Sequence, residues 1–201
     1  IGALPATARS SSEFSMKKHL VSSLLVACTI LPAFALAPTS GLKSGETVSA
    51  FHPTHVTGPL KGSDSCPPCT YGVLPQVQVW VNGDNAENIA AIAKTLNDAV
   101  AANKSKKLQA FFIVLTDKAN QAKTAELIKS VNAKAGSDNV HMAWLLKNDK
   151  AISDYKVNTG ADVKNTIMLY KNRKITDNMV NLKADKSGLG SLQAAIGKIT
   201  A

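Results

Sequence analysis

Hydrophobic residues follow two alternating patterns from residue 76 to the C-terminus. Short apolar or alternating runs, such as QVQVWV at 76–81 and QAFFIVL at 109–115, are separated by longer segments in which apolar residues recur every three or four positions. The short runs are typical of β-strands, and the longer segments are typical of amphipathic helices. The pattern predicts strands at 76–81, 109–115, 140–146, 166–170 and 174–180, and helices at 86–102, 117–134, 149–155 and 189–199.

The order of these elements predicts the fold class. Strands and helices alternate as far as residue 155, and two strands then follow each other across the turn Lys171-Asn172-Arg173. Alternation is typical of α/β domains with parallel strands, and a closing hairpin adds antiparallel strands. We therefore expect an α/β domain with a mixed central sheet and helices on both faces.

Local signals refine this prediction. In the turn 82–85 (NGDN), Asp84 or Asn85 can cap the helix that follows. Residues 38–75 are rich in Gly, Pro, Ser and Thr, and they predict only short extended pieces near 47–51 and around Val56. On the helix at 117–134, the side chains expected to point inward are Ala122, Ala125, Leu127, Ile128 and Val131.

One short stretch of the loop-rich region can carry chemistry. The sequence SDSCPPCTYG contains Cys66 and Cys69, which are separated by two prolines. Such a pair can be a redox disulfide, half of a metal site or an inert clip. Gly72 and Pro75 limit any helix that starts at Cys66 to about a turn and a half, so its effect on a thiol pKa is expected to be small.

The cellular compartment of the protein affects which of these three interpretations of the cysteine pair is favoured. Residues 16–37 combine a basic start, an apolar run and small-x-small cleavage sequences, which together are typical of a secretory signal peptide. Residues 1–15 precede Met16 and are interpreted as a vector-derived leader. The sequence LVAC also resembles a lipobox, so lipid attachment at Cys28 is an alternative to ordinary cleavage. Ordinary cleavage leaves a single mature domain at 38–201. Both routes predict a periplasmic or secreted protein without a transmembrane segment, in a compartment where disulfides persist.

The chain is basic, with 23 Lys and Arg against 14 Asp and Glu and a formal net charge of +9. Basic proteins often bind nucleic acids. The lysines are scattered over predicted helices and turns, however, and only Lys104, Lys106 and Lys107 lie close together. Aromatic residues make up 5% of the chain, too few to indicate platforms on which bases stack. We therefore expect a solvated basic surface and no nucleic-acid partner.

The element order and two segments resemble the thioredoxin-like superfamily. One segment is the closing hairpin TIMLYKNRKI with the helix after it, and the other is the run VTGPLKGSDSCPPCTYGVLPQVQVWV. The pieces SGETVSAF and VTGPLKG place the resemblance on the redoxin and peroxiredoxin side. The longer run is similar to secreted bacterial thioredoxin-like proteins with a displaced Cys-x-x-Cys. The resemblance covers residues 45–180 and implies a three-layer fold, with helices on both faces of a mixed sheet.

The sequence departs from the thioredoxin pattern at the site itself. In typical thioredoxins the Cys-x-x-Cys follows the first central strand, where the turn 82–85 stands in this chain. Typical peroxiredoxins also place their reactive cysteine just after that strand, so ordinary peroxiredoxin chemistry is not expected. Asn165 occupies the position of the usual cis-proline, and the usual mode of substrate docking is therefore not expected either.

Three functions remain open for the cysteine pair. A disulfide across two residues closes a very small loop and stabilises the fold by less than the about 3 kcal/mol of a fifteen-residue loop. This favours an envelope thiol–disulfide oxidoreductase that needs no cofactor, with Cys66 attacking and Cys69 resolving. Its partners would be protein or small-molecule thiols and disulfides. The second function is a non-catalytic binding or scaffold protein in which the disulfide only fixes the loop.

The third function is metal binding. The spacing His52-x-x-His55 matches the spacing of Cys66 and Cys69. Two His and two Cys can hold Zn²⁺ tetrahedrally or bind a copper ion. An oxidising compartment favours a disulfide over two thiolates, so the metal site is the less favoured alternative.

Overall fold

Six strands form one sheet in the computed structural model, which describes residues 37–201. The strands are β1 (Thr54–Thr57), β2 (Gln76–Val81), β3 (Gln109–Thr116), β4 (His141–Leu146), β5 (Asn165–Lys171) and β6 (Lys174–Val180). Their order across the sheet is β1-β4-β3-β2-β5-β6. Strands β2, β3 and β4 are parallel, whereas β1, β5 and β6 run antiparallel to their neighbours. The leader, the signal peptide up to residue 36 and Cys28 lie outside the described residues.

Within residues 37–201, four of the five α-helices occur close to where the hydrophobic pattern predicts them, and the first, short helix was not predicted by that pattern. The helices are α1 (Pro67–Tyr71), α2 (Ala86–Ala102), α3 (Gln121–Ala135), α4 (Lys150–Asp154) and α5 (Lys186–Thr200), with 3-10 turns at Lys104–Lys106 and Lys118–Asn120. Helix α2 has the predicted bounds, and the Asn85 side chain caps it by accepting the Asn88 N–H at 2.8 Å. None of the helices within residues 37–201 combines the length and hydrophobicity needed to cross a bilayer.

Helix α3 buries only part of the predicted face. Its buried residues are Thr124, Ile128 and Val131, whereas Ala122 and Leu127 are exposed. The hydroxyls of Thr124 and Thr116 lie 2.8 Å apart, which satisfies a polar side chain inside the core. The prediction that Ala122 and Leu127 point inward is therefore wrong, because a hydrogen-bonded threonine takes the inward position that sequence polarity assigned to apolar residues.

Two hydrophobic cores lie on opposite faces of the sheet. On the first face, α2, α3 and α5 pack against residues such as Val79 and Phe112. On the second face, Trp80 and Phe111 are covered by α4, by Tyr71 of α1 and by the extended segment 38–53. The predicted α/β architecture with helices on both faces is confirmed, although all three long helices share the first face.

The central strand β2 is buried along its whole length, including its two glutamines. The Tyr170 hydroxyl donates to Gln76 Oε1 at 2.7 Å and accepts from Gln78 Nε2 at 2.6 Å. Trp80 Nε1 donates to Gln78 Oε1 at 3.2 Å. Both faces of QVQVWV are therefore buried. The glutamine face is a hydrogen-bonded polar network and is not exposed to solvent.

The parallel strands start at one edge of the sheet, which we call the amino edge. There Gln76 pairs with Gln109, and Phe111 pairs with His141. The opposite, carboxyl edge lies where β2 leads into α2. A six-residue strand rises about 3.3 Å per residue, so the two edges are about 20 Å apart.

Candidate redox site

The cysteine pair lies at the amino edge, because α1 and its cap directly precede β2. A disulfide joins Cys66 and Cys69, whose Cα atoms are 5.2 Å apart. Cys66 is the N-cap of α1, and Pro67 occupies the first helical position, where the missing N–H is not needed. Gly72 ends the helix, as expected from the sequence, with its N–H donating to Pro68 O.

Hydrogen bonds hold the turn around Cys66 in addition to the disulfide. The Cys69 N–H donates to Cys66 Sγ at 3.2 Å. The backbone N–H and the hydroxyl of Thr70 both donate to Cys66 O, each at 2.9 Å. The two Thr70 contacts involve neither sulfur atom.

The two cysteines differ in their access to solvent. Cys66 is only 5% exposed, and Pro67 and Pro68 beside it are buried. Cys69 and the following Thr70 are exposed. Cys69 is therefore the more exposed end of the disulfide.

A cation from the closing hairpin contacts α1. Arg173 Nη2 donates to Pro68 O at 3.2 Å, and the neighbouring Asn172 N–H donates to Val73 O at 3.0 Å. Both residues have positive φ, 55° for Asn172 and 62° for Arg173, as a tight hairpin turn requires. From the sequence, Arg173 was expected only as a turn residue. The antiparallel pairing of β2 with β5, which brings this turn to the start of β2, is the signal that would have found it.

Two buried histidines lie under the turn. His55 is 2% exposed, and its Nε2 lies 3.0 Å from Ser65 O, next to Cys66 in sequence. His141 Nε2 lies 3.2 Å from both the Tyr71 hydroxyl and an oxygen of the Gln109 amide. Neither Nδ1 atom has a hydrogen-bond partner.

Burial sets the charge of both rings. It lowers the pKa of His141 to about 3, with a further contribution from His55. It also lowers the pKa of His55, although the hydrogen bond to Ser65 opposes this. His141 stacks on Phe111 with ring centroids 4.5 Å apart. A pair of neutral histidines beside the cysteine turn was not expected from the sequence. His52 and His55 were considered there only as candidate metal ligands.

The four residues of the metal alternative do not assemble into a common site. Cys66 and Cys69 are bonded to each other, and Nδ1 of the exposed His52 lies 3.0 Å from Asp64 O. The nearest polar partner of His55 is a backbone carbonyl. Within residues 37–201, no group of three or more His, Cys, Asp or Glu side chains has an arrangement that could hold a metal ion.

The carboxyl edge, where thioredoxins carry their cysteines, contains a polar cluster. Asn165 Nδ2 donates to Asp84 Oδ2 at 2.7 Å and to Leu182 O at 3.0 Å, and Asn165 Oδ1 accepts the Leu182 N–H at 2.9 Å. These residues line a cleft of about 490 Å³ that also includes Asn85. The position of the usual cis-proline is thus used to tie two loops together, about a strand length away from the disulfide.

Neither a protein-family model nor a curated relative matches the sequence. Solved structures match in fold. They include a putative thiol:disulfide interchange protein DsbE from Chlorobium tepidum, with 16% identity and a TM-score of 0.58 over 80% of this chain and 99% of that one. The peroxidoxin BcpB from Mycobacterium tuberculosis has 16% identity and a TM-score of 0.55, over 79% and 96% of the chains.

A third match is a secreted Mycobacterium tuberculosis disulfide oxidoreductase homologous to Escherichia coli DsbE. It has 14% identity and a TM-score of 0.52, over 75% of this chain and 95% of that one. At these identities the likeness is one of fold. The chain has a thioredoxin-like fold, and the resemblance inferred from its sequence is confirmed at that level.

Proposed function

We propose that this thioredoxin-like chain is a thiol–disulfide oxidoreductase of the cell envelope, in which Cys66 and Cys69 cycle between a disulfide and a dithiol. The observation that carries the proposal is the disulfide itself, with one exposed half on a turn that is held by other contacts. A disulfide exchanges when a thiolate can reach one of its sulfur atoms and the partner sulfur can leave. The site at the amino edge meets the first condition at Cys69.

A purely structural purpose explains the bond poorly. Loop closure over a four-residue ring contributes about 2 kcal/mol in the chain-entropy model. Thr70, Arg173 and the buried Pro67 and Pro68 already fix the turn. Reduction can therefore open the bond without unfolding the region around it, which is what repeated cycling requires.

The chemistry needs no cofactor. Two thiols of a substrate give up two electrons and two protons, the substrate forms a disulfide, and the Cys66–Cys69 bond becomes two thiols. The reverse direction reduces a substrate disulfide. The substrates are protein or small-molecule thiols and disulfides, and a separate reaction must restore the starting redox state of the pair.

The proposed location rests on the sequence and on the matched folds. Residues 16–37 have the features of a signal peptide that leaves 38–201 as the mature domain, with 1–15 as a vector-derived leader. Attachment of a lipid at Cys28 is the alternative route to the same compartment. A fold match is a secreted disulfide oxidoreductase, and another is a putative thiol:disulfide interchange protein.

The test compares the reduced wild-type chain with the double variant Cys66→Ser/Cys69→Ser in reduction of insulin by dithiothreitol. We expect a clear acceleration by the wild type and none by the double variant. The variant His52→Gln, which alters an exposed ring in the same region, should keep full activity. Equal rates for wild type and double variant would favour a scaffold function instead.

Redox titration against glutathione gives an independent measurement. A reduction potential in the range of about −120 to −270 mV, which known exchange proteins cover, supports cycling. A potential below about −300 mV is typical of a structural disulfide and contradicts the proposal.

A further inference from the structure

We propose that exchange at this site takes place through Cys69, and that Cys66 is the sulfur that leaves and later resolves. This inference rests on the proposed function and reverses the order expected from the sequence, in which Cys66 attacks. It assigns Cys69 as the residue that carries the mixed disulfide with substrate.

Access is the first argument. An incoming thiolate approaches a disulfide sulfur in line with the S–S bond, from the side opposite the leaving sulfur. Approach to Cys66 is obstructed, because this residue is 5% exposed and lies between the buried Pro67 and the segment that His55 holds at Ser65. Approach to Cys69 is open, because Cys69 and Thr70 are both exposed.

Stabilisation of the leaving sulfur is the second argument. Cys66 Sγ already accepts the Cys69 N–H at 3.2 Å in the disulfide state. A hydrogen bond that favours the charged form of a thiol makes it a better leaving group. Arg173, whose guanidinium donates to Pro68 O at 3.2 Å, brings a positive charge to the same turn. The hydrogen bond from the Cys69 N–H favours negative charge on the buried sulfur.

The steps balance in both directions. A substrate thiolate attacks Cys69 Sγ, the S–S bond breaks, and its electron pair goes to Cys66 as a thiolate. A second substrate thiolate then attacks the substrate sulfur of the mixed disulfide and releases Cys69. In the reductive direction the Cys69 thiolate attacks the substrate disulfide and releases one substrate thiolate. The Cys66 thiolate then attacks Cys69 Sγ and releases the other.

The test uses full-length chains that carry Cys28→Ser, so that each single variant has one thiol. The variants Cys66→Ser and Cys69→Ser are mixed under native conditions with excess 5,5′-dithiobis(2-nitrobenzoate), and the released thionitrobenzoate gives the rate of mixed-disulfide formation. We expect the thiol of Cys66→Ser, which is Cys69, to react at least about tenfold faster than the thiol of Cys69→Ser. In guanidinium chloride the two rates should converge, which shows that the difference comes from the fold.

The outcomes separate this inference from the proposed function. Faster reaction of Cys69→Ser would overturn the order but leave exchange standing. Slow reaction of both variants in the folded state, with fast reaction in denaturant, would overturn both proposals. A second experiment uses the wild-type pair. The reduced chain reacts with glutathione disulfide, the reaction is quenched with acid, and peptide mapping locates the bound glutathione. We expect it on Cys69, and finding it on Cys66 would contradict the assignment.

Discussion

Acidification should destabilise the protein through His141. In the folded chain the ring is buried against Phe111 and is neutral, with its pKa lowered to about 3 by burial and, to a smaller extent, by His55. In the unfolded chain a histidine has a pKa of about 6.5. The unfolded state therefore binds a proton between these two values while the folded state does not. Stability is present in full above pH 6.5 and is lost as the pH falls towards about 3.

The size of the loss follows from the two pKa values. Each pH unit in this window costs about 1.4 kcal/mol per group. Between about pH 7 and about pH 4.5 the free energy of unfolding should fall by about 2.5 kcal/mol because of His141 alone. His55, whose pKa is also lowered by burial, adds a loss of the same sign. Together these losses are a large part of the 5–15 kcal/mol over which most domains are stable.

Guanidinium titrations at the two pH values measure this loss, and His141→Gln isolates its source. Glutamine can still bond Tyr71 or Gln109 but does not titrate, so the variant should lose about 2.5 kcal/mol less than the wild type over the same pH interval. His52→Gln replaces an exposed imidazole in the same way and serves as the matched control. The reasoning is refuted if His141→Gln and the wild type lose the same stability.

Two further changes test contacts elsewhere in the fold. Asn165→Ala removes three hydrogen bonds at the carboxyl edge and should lower the free energy of unfolding by about 1–3 kcal/mol in chemical denaturation. Insulin reduction should stay unchanged, and a loss of activity in the folded variant would show that this edge takes part in the chemistry. Gly58→Ala should cost about 1–3 kcal/mol more in chemical denaturation than Gly62→Ala. Both glycines have φ near +80°, but only at Gly58 would a Cβ meet a neighbour, Val140 O at 2.3 Å. Equal losses would show that this close approach does not matter.

The parts of the fold that depend on local signals were predictable from the sequence. Helix α2 begins and ends at the predicted residues, because Asn85 supplies a cap and the apolar period is unbroken from Ala86. The early stop of α1 also followed from Gly72 and Pro75. In such segments the chain's own backbone hydrogen bonds and side-chain period decide the structure, and tertiary contacts only reinforce it.

The parts that depend on distant residues were not predictable. Gln76 and Gln78 are inside because Tyr170, 94 and 92 positions away, satisfies them. The contact from Arg173 arises where the hairpin turn meets α1, and the burial of Cys66 likewise depends on the folded structure around it. The spacing of the two cysteines gives no sign of a difference in their solvent exposure. Tertiary packing buries Cys66 and leaves Cys69 exposed.

The extended segment 38–53 has a consequence for how an exported chain would mature. Ser40 contacts Thr166, a partner 126 positions later in the sequence, and the Tyr155 hydroxyl donates to Ser49 O. If the chain is exported from its N-terminus, as proposed, segment 38–53 can pack only after α4 and β5 have emerged. Until then Trp80 lacks its cover, and apolar surface exposed during folding is prone to aggregation.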